Sequence, residues 1–185
     1  AGASALLIAP TGGGKTLAGF LPSLIDLTAA PSAGVHTLYI SPLKALAVDI
    51  ARNLEAPVAE MALPIRVETR TGDTPASKKK RQRSDPPQIL LTTPESLALL
   101  MSYDDAARFF AGLRCVVIDE LHALVDNKRG ELLALALARL SRLAPGVRRV
   151  GLSATVAACV TVTSSRTPSE PITIPASSRP SRLTA

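Results

Sequence analysis

Short apolar runs and breakers alternate along the chain, and the apolar period switches repeatedly between strand-like and helical. Residues 5–9 (ALLIA) form an apolar run that stops at Pro10; a glycine cluster follows, then an apolar stretch of helical character from Thr16 to about Leu27. Residues 35–41 (VHTLYIS) predict a second buried strand. Pro42 is expected to open a helix, since proline suits the first turn, and Leu43, Leu46, Ala47, Ile50, Leu54, Val58 and Met61 recur at helical spacing behind it. Residues 65–71 (IRVETRT) alternate and predict a third strand, and residues 88–93 (QILLTT) a fourth, ended by Pro94. A helix and a second short one around residues 104–111 lead into residues 115–120 (CVVIDE), an apolar strand ending in two carboxylates. A Leu/Ala-rich helix over residues 131–143 and a last strand over residues 149–154 complete the pattern.

Strands alternating with helices imply βαβ units, hence an α/β domain whose parallel sheet is covered by helices on both faces. The pattern ends near Ala157 and Ala158, where Ser, Thr and the prolines 168, 171, 175 and 180 take over. The expected organisation is therefore a domain over residues 1–156 and an irregular Ser/Thr/Pro-rich tail over residues 157–185, disordered or read from a shifted frame.

Composition narrows the field. A chain of 185 residues has room for one domain, and 46% hydrophobic residues exclude wholesale disorder. No apolar run approaches the roughly 18 residues of a membrane span, and residues 1–9 lack the basic start of a signal peptide. Two cysteines build neither a disulfide framework nor a four-ligand zinc site, which favours a reducing, cytoplasmic setting. The formal net charge of +6 suits a polyanionic partner. Two Tyr, three Phe and no Trp leave little for base stacking, so contacts to a nucleic acid should go to its phosphate backbone.

Candidate chemistry sits at two strand ends. Ala9-Pro-Thr-Gly-Gly-Gly-Lys-Thr16 follows a strand and opens a helix. The glycines let successive backbone N–H groups wrap a polyphosphate, so Thr11, Gly12, Gly13, Gly14, Lys15 and Thr16 are the candidate ATP-binding residues. Lys15 can reach the β- and γ-phosphates, and the Thr16 hydroxyl can ligate magnesium. Asp119 and Glu120 end another strand at the same edge of a parallel sheet. Asp119 suits magnesium, and Glu120 suits activation of the attacking water. Lys15, Asp119 and Glu120 are thus the candidate catalytic set. His122, two residues on, is placed to sense the γ-phosphate.

Taken with Ser153-Ala-Thr155, the Ala9–Thr16 loop and the Asp119-Glu-Leu-His122 box resemble motifs I, II and III of the superfamily 2 DEAD/DEAH-box helicases. Tyr39-Ile-Ser-Pro-Leu-Lys-Ala-Leu-Ala-Val-Asp-Ile50 resembles motif Ia of their Lhr-like branch, Arg70-Thr-Gly-Asp-Thr74 its Gly-Asp turn, and Leu91-Thr-Thr-Pro-Glu-Ser96 its motif Ib. Lys128-Arg-Gly130 is similar to the same branch, and residues 16–155 look closest to the ligase-associated DEXH-box DNA helicases of bacteria. The resemblance implies a RecA-like motor domain that uses ATP and Mg²⁺ and holds the backbone of a DNA single strand, in DNA repair, with RNA and a DNA ligase as further partners to consider. It also implies that Ser41, Pro42, Lys44, Gly72, Asp73, Thr93, Pro94 and Glu95 hold the strand. His122, Ser153 and Thr155 would couple it to nucleotide state. The family's adenine-reading motif is expected upstream of Ala1, and its second motor domain with the arginine fingers beyond this chain. Such fingers contribute about 10³–10⁵ in rate, so the chain alone is expected to hydrolyse ATP slowly.

Three readings remain open at this point: an ATP-dependent motor domain, an inactive helicase fragment that only binds nucleotide or nucleic acid, and another phosphate-loop enzyme. Ser41 and Thr93 also make good helix caps, so their motif positions have a structural explanation too. Lys78-Lys-Lys-Arg-Gln-Arg83 is either a phosphate-contacting patch or a solvated face. His36, at a strand start, is expected to be structural or exposed, and Cys115 to be core.

Overall fold

The computed structural model describes residues 4–10, 14–125 and 127–154. The expected tail, residues 157–185, lies outside them, as do Thr11, Gly12, Gly13 and Thr155. Six parallel strands form one sheet: β1 (Ala5–Ile8), β2 (Thr37–Ile40), β3 (Val67–Arg70), β4 (Ile89–Thr92), β5 (Cys115–Ile118) and β6 (Arg148–Ser153), in the spatial order β1-β6-β5-β2-β4-β3. The connections hold the helices α1 (Lys15–Ala29), α2 (Lys44–Glu60), α3 (Ala76–Ser84), α4 (Pro94–Met101), α5 (Ala106–Phe109) and α6 (Lys128–Leu143), with a short 3₁₀ turn at Leu121–Ala123. This is the parallel α/β architecture that the strand–helix alternation predicts, in the RecA-like form that the motif resemblance implies.

The period-2 alternation of the strands sorts the core into two layers. Tyr39, Leu91 and Val117 face α1 and α2, where they meet Phe20, Leu24, Leu27, Ala47, Ile50 and Leu54. Leu38, Ile40, Leu90, Val116 and Ile118 face the other way, toward Leu97, Met101 and Phe109 of α4 and α5 and Leu133 and Leu140 of α6. Of the four inner strands, β2, β4 and β5 are buried throughout and β6 in part, whereas β1, an edge strand, is largely exposed. Cys115 is in the core as expected, and His36 is buried rather than exposed, its Nδ1 2.9 Å from the Thr37 hydroxyl.

Several element boundaries differ from the sequence pattern. Pro42 does not open α2. The helix begins at Lys44, because Leu43 keeps an extended backbone and its N–H is held by the Ser41 hydroxyl at 3.3 Å. Ser41 therefore caps a turn and not the helix. Thr93 does cap α4, its hydroxyl accepting from Ser96 N–H. α6 starts three residues earlier than its apolar repeat, at Lys128, because Asn127 Oδ1 accepts from the N–H groups of Arg129 and Gly130 at 3.0 Å each. Gly130 is required there: a Cβ would lie 1.7 Å from the Leu124 carbonyl oxygen.

The basic stretch forms α3, a helix with no apolar face. Polar contacts hold it instead. The buried Arg70 donates to the Lys79 carbonyl at 2.7 Å and to Gln82 Oε1 at 3.3 Å, and Gln82 donates to Glu68 and to the Thr69 carbonyl. Among the described residues no helix is long and apolar enough to cross a membrane.

Candidate functional site

A parallel sheet brings the carboxyl ends of all its strands to one rim. The segments after β1, β6 and β5 occupy one half of that rim, and those after β2, β4 and β3 the other.

On the first half, Gly14 adopts a left-handed backbone (φ 72°) that turns the loop into α1, a conformation glycine reaches without strain. Lys15 and Thr16 follow in the first helical turn. The Lys15 ammonium donates to the Ala9 carbonyl and, at 2.9 Å, to the Pro10 carbonyl, so it ties the start of α1 to the residues just past β1. Asp119 lies just past β5 and is 4% exposed. One carboxylate oxygen accepts from the Tyr39 hydroxyl and the other from Glu120 N–H at 2.8 Å. Burial, then the Asp119 carboxylate, push the Tyr39 hydroxyl far above its usual titration range, so it stays a donor.

Glu120 has a left-handed backbone (φ 46°, ψ 46°). Its carboxylate lies 3.3 Å from His122 Nε2, and His122 Nδ1 lies 3.3 Å from the Ser153 hydroxyl at the end of β6. Two of the three predicted coupling residues, His122 and Ser153, thus lie in one line with Glu120; the third, Thr155, is outside the described residues.

Lys15, Thr16, Asp119 and Glu120 share a cavity of about 490 Å³, also lined by Leu46, Ile50 and Leu54 of α2. The donor set suits magnesium. One carboxylate and one hydroxyl are hard oxygen ligands, and magnesium takes one or two such groups, with waters and substrate phosphates completing its shell. Among the described residues no cluster of three His, Cys, Asp or Glu forms a self-sufficient metal cage. A polyphosphate would supply the remaining oxygens.

The second half of the rim carries the predicted strand-holding residues. Lys44 pairs with Asp73 at 3.0 Å and lies against Gly72. Lys79 Nζ donates to the Gly72 carbonyl at 2.9 Å, which brings α3 onto the same turn. Ser41, Pro42, Thr93 and Pro94 are buried beneath, and Glu95 projects outward into an ion pair with Arg129 of α6, at 2.5 and 3.2 Å. The Arg129 hydrogen bond holds the Glu95 carboxyl below its usual range. Arg129 and Tyr39 are the functional candidates the sequence pattern passed over. Arg129 lies inside Lys128-Arg-Gly130, which suggested a branch but no role, and Tyr39 reads as core in an apolar strand. Two charges of the Lys78–Arg83 run are engaged by the protein's own acids: Arg81 with Glu68 at 2.6 Å, and Arg83 with Asp105 at 2.9 Å while lying 4.0 Å from the Tyr103 ring centroid.

Comparison with known proteins agrees with this layout. The DEAD/DEAH box helicase family profile matches residues 1–162. The chain is 47% identical over 169 residues to an Lhr helicase of Mycolicibacterium smegmatis, covering 84% of this chain and 11% of that protein. It is 43% identical over 169 residues to the ATP-dependent helicase Lhr-Core of Methanothermobacter thermautotrophicus, covering 84% of this chain and 20% of that protein. Among solved structures, Mycobacterium smegmatis helicase Lhr bound to ssDNA and AMP-PNP superposes with a TM-score of 0.74 at 46% identity, over 84% of this chain and 21% of that one. The chain thus spans a fifth or less of the length of these curated relatives.

Proposed function

Because this chain belongs to the DEAD/DEAH box helicase family, we propose that residues 1–156 are the ATP-binding motor half of an Lhr-type ATP-dependent DNA helicase or translocase. One observation carries the reading: the phosphate-loop residues Lys15 and Thr16 and the carboxylates Asp119 and Glu120 meet at a single cavity of about 490 Å³. In this reading Lys15, with the loop N–H groups from Thr11 to Gly14, binds the polyphosphate. Thr16 and Asp119 hold Mg²⁺, which would neutralise developing phosphate charge. Glu120 orients and deprotonates the attacking water. The Glu120–His122–Ser153 line, with Thr155, passes nucleotide state across the rim. Lys44, Gly72 and Asp73 contact a single-strand backbone over the buried Ser41, Pro42, Thr93 and Pro94, and Glu95, at the margin of that surface, holds Arg129 back from it.

The relatives' names support ATP use, and the ssDNA in the Lhr structure supports a single strand as partner. A place in DNA repair, a DNA ligase as partner and a cytoplasmic location rest on motif resemblance and composition.

The test is equilibrium binding of ATP with Mg²⁺ to the chain, with Lys15→Ala and Asp119→Asn as controls, followed by hydrolysis with and without single-stranded DNA. Magnesium-dependent binding that both substitutions weaken is the expected result. Binding insensitive to both would overturn the assignment. Binding with no hydrolysis under any condition would favour a nucleotide-binding module without catalysis.

A further inference from the structure

Tyr39 is fully buried in the middle of β2, flanked along the strand by the aliphatic Leu38 and Ile40. Its ring lies on Phe20 of α1, with centroids 5.2 Å apart and planes 24° from parallel. The register accounts for its reach. Tyr39 is paired with Val117, so Asp119, two residues further on, projects from the same face one step closer to the rim. There the Tyr39 hydroxyl meets Asp119 Oδ2, while Oδ1 takes the Glu120 N–H.

A phenylalanine would fill the same core volume, and a hydroxyl brought into this layer costs free energy unless something accepts from it. Its purpose therefore lies with the carboxylate. A donor fixed on each oxygen sets the rotation of the carboxylate plane, and each oxygen keeps a further lone pair for a ligand in the cavity that Asp119 lines together with Lys15 and Thr16.

We propose that Tyr39 is a positioning residue for Asp119: its buried hydroxyl orients the carboxylate for a divalent cation, and its ring, stacked on Phe20, ties that orientation to the helix that begins with Lys15 and Thr16. Phe20 sits one turn beyond Thr16, so a shift of the loop helix on binding nucleotide is felt at the Tyr39 ring and thence at the carboxylate. The proposal rests on the nucleotide–magnesium reading of the cavity.

The chain supplies its own reporter. It has no Trp and two Tyr, so in a Tyr103→Phe background all indole-free emission comes from Tyr39. A phenol that donates to a carboxylate loses emission through partial proton transfer. Weak emission is expected in this background, stronger emission after Asp119→Asn, and a saturable change on titrating Mg²⁺ in the presence of ADP, with no turnover involved. In parallel, calorimetry at saturating ADP should show Tyr39→Phe weakening Mg²⁺ binding by about 10- to 100-fold, as for other partners of metal ligands. Metal-free ADP affinity and the circular-dichroism melt should stay near those of the unaltered chain.

Mg²⁺ binding that Asp119→Asn abolishes but Tyr39→Phe leaves unchanged overturns the proposal and leaves the nucleotide reading standing. So does emission indifferent to Mg²⁺ while calorimetry records binding. If the unaltered chain shows no Mg²⁺-dependent ADP binding, or binding that ignores Asp119→Asn, the nucleotide reading fails and the proposal with it.

Discussion

The two halves of the sheet rim are built by different means. The half proposed to hold nucleotide, after β1, β6 and β5, is ordered by hydrogen bonds, two of them to the buried Asp119: Tyr39 to Asp119, Glu120 N–H to Asp119, and His122 with Ser153. The half after β2, β4 and β3 carries full charges facing solvent: Lys44 with Asp73 and Arg129 with Glu95. Buried hydrogen bonds are barely screened by salt and hold their geometry without reorganising. Exposed ion pairs contribute about 0–1 kcal/mol each and exchange partners readily. The contrast matches the two proposed tasks. A phosphoryl site benefits from fixed groups, whereas a surface that must take and release a backbone benefits from charges that are weakly committed.

The sharpest way to break this contrast is on the nucleotide side. Lys15→Ala should remove about 2–5 kcal/mol of Mg²⁺–ATP binding, the usual result of deleting one partner of a close charge contact. Its melting midpoint should hardly move, since among the described residues the Lys15 ammonium donates to two loop carbonyls and to no other group. Calorimetry and a thermal melt on the same sample check both halves of the statement.

Next in size, Gly130→Ala forces a Cβ into the Leu124 carbonyl and should destabilise the fold by about 1–3 kcal/mol in urea unfolding. Because Gly130 adjoins Arg129, single-strand binding should weaken in the variant while nucleotide affinity persists. Equal loss of both would mean that the two halves are not separable.

Glu95→Gln should change stability by less than about 1 kcal/mol. It releases Arg129, so single-strand affinity should rise, and the slope of log K against log salt should steepen by about 0.7 for one added phosphate contact. A salt titration followed by strand anisotropy measures it; a flat response would remove Glu95 and Arg129 from the interface.

The smallest effect concerns pH. Burial lowers the His36 pKa, with Asp26 opposing and Arg114 and Arg148 reinforcing the shift. The folded state then binds fewer protons than the unfolded one, so this contribution to stability is full above the ordinary histidine value and declines as pH falls below it. Melts from pH 7.5 down to 5.5 should fall less steeply in His36→Gln.

Much of this layout is legible in the residue pattern because apolar periodicity and glycine placement report directly on packing. The six strands, the helices α1, α2, α4 and α6 and the Cys115 core position all announce themselves this way. The phosphate loop and the Asp119–Glu120 pair are legible because both end apolar strands. The helix α3 is not: it has no apolar face, and what holds it, Arg70 and Gln82, lies in contacts far apart in sequence. Pro42 misleads for a related reason, since a hydroxyl two residues from Leu43 delays the helix. Tyr39 is hidden by its ring, which satisfies the strand pattern while its hydroxyl serves the next strand's carboxylate. Arg129 is hidden because its partner, Glu95, lies 34 residues earlier.

Glu120 bears on how such a domain diverges. A left-handed backbone at a residue with a Cβ costs about 1–3 kcal/mol, and glycine or asparagine would sit there more comfortably. Selection for a carboxylate and selection for a stable fold therefore pull this one position in opposite directions. In a lineage that kept the domain as a scaffold and gave up hydrolysis, drift should reach this site early, and Glu120→Gly should raise stability as it ends turnover. On the proposed role of Glu120, the identity of residue 120 in any descendant then records whether hydrolysis has been kept.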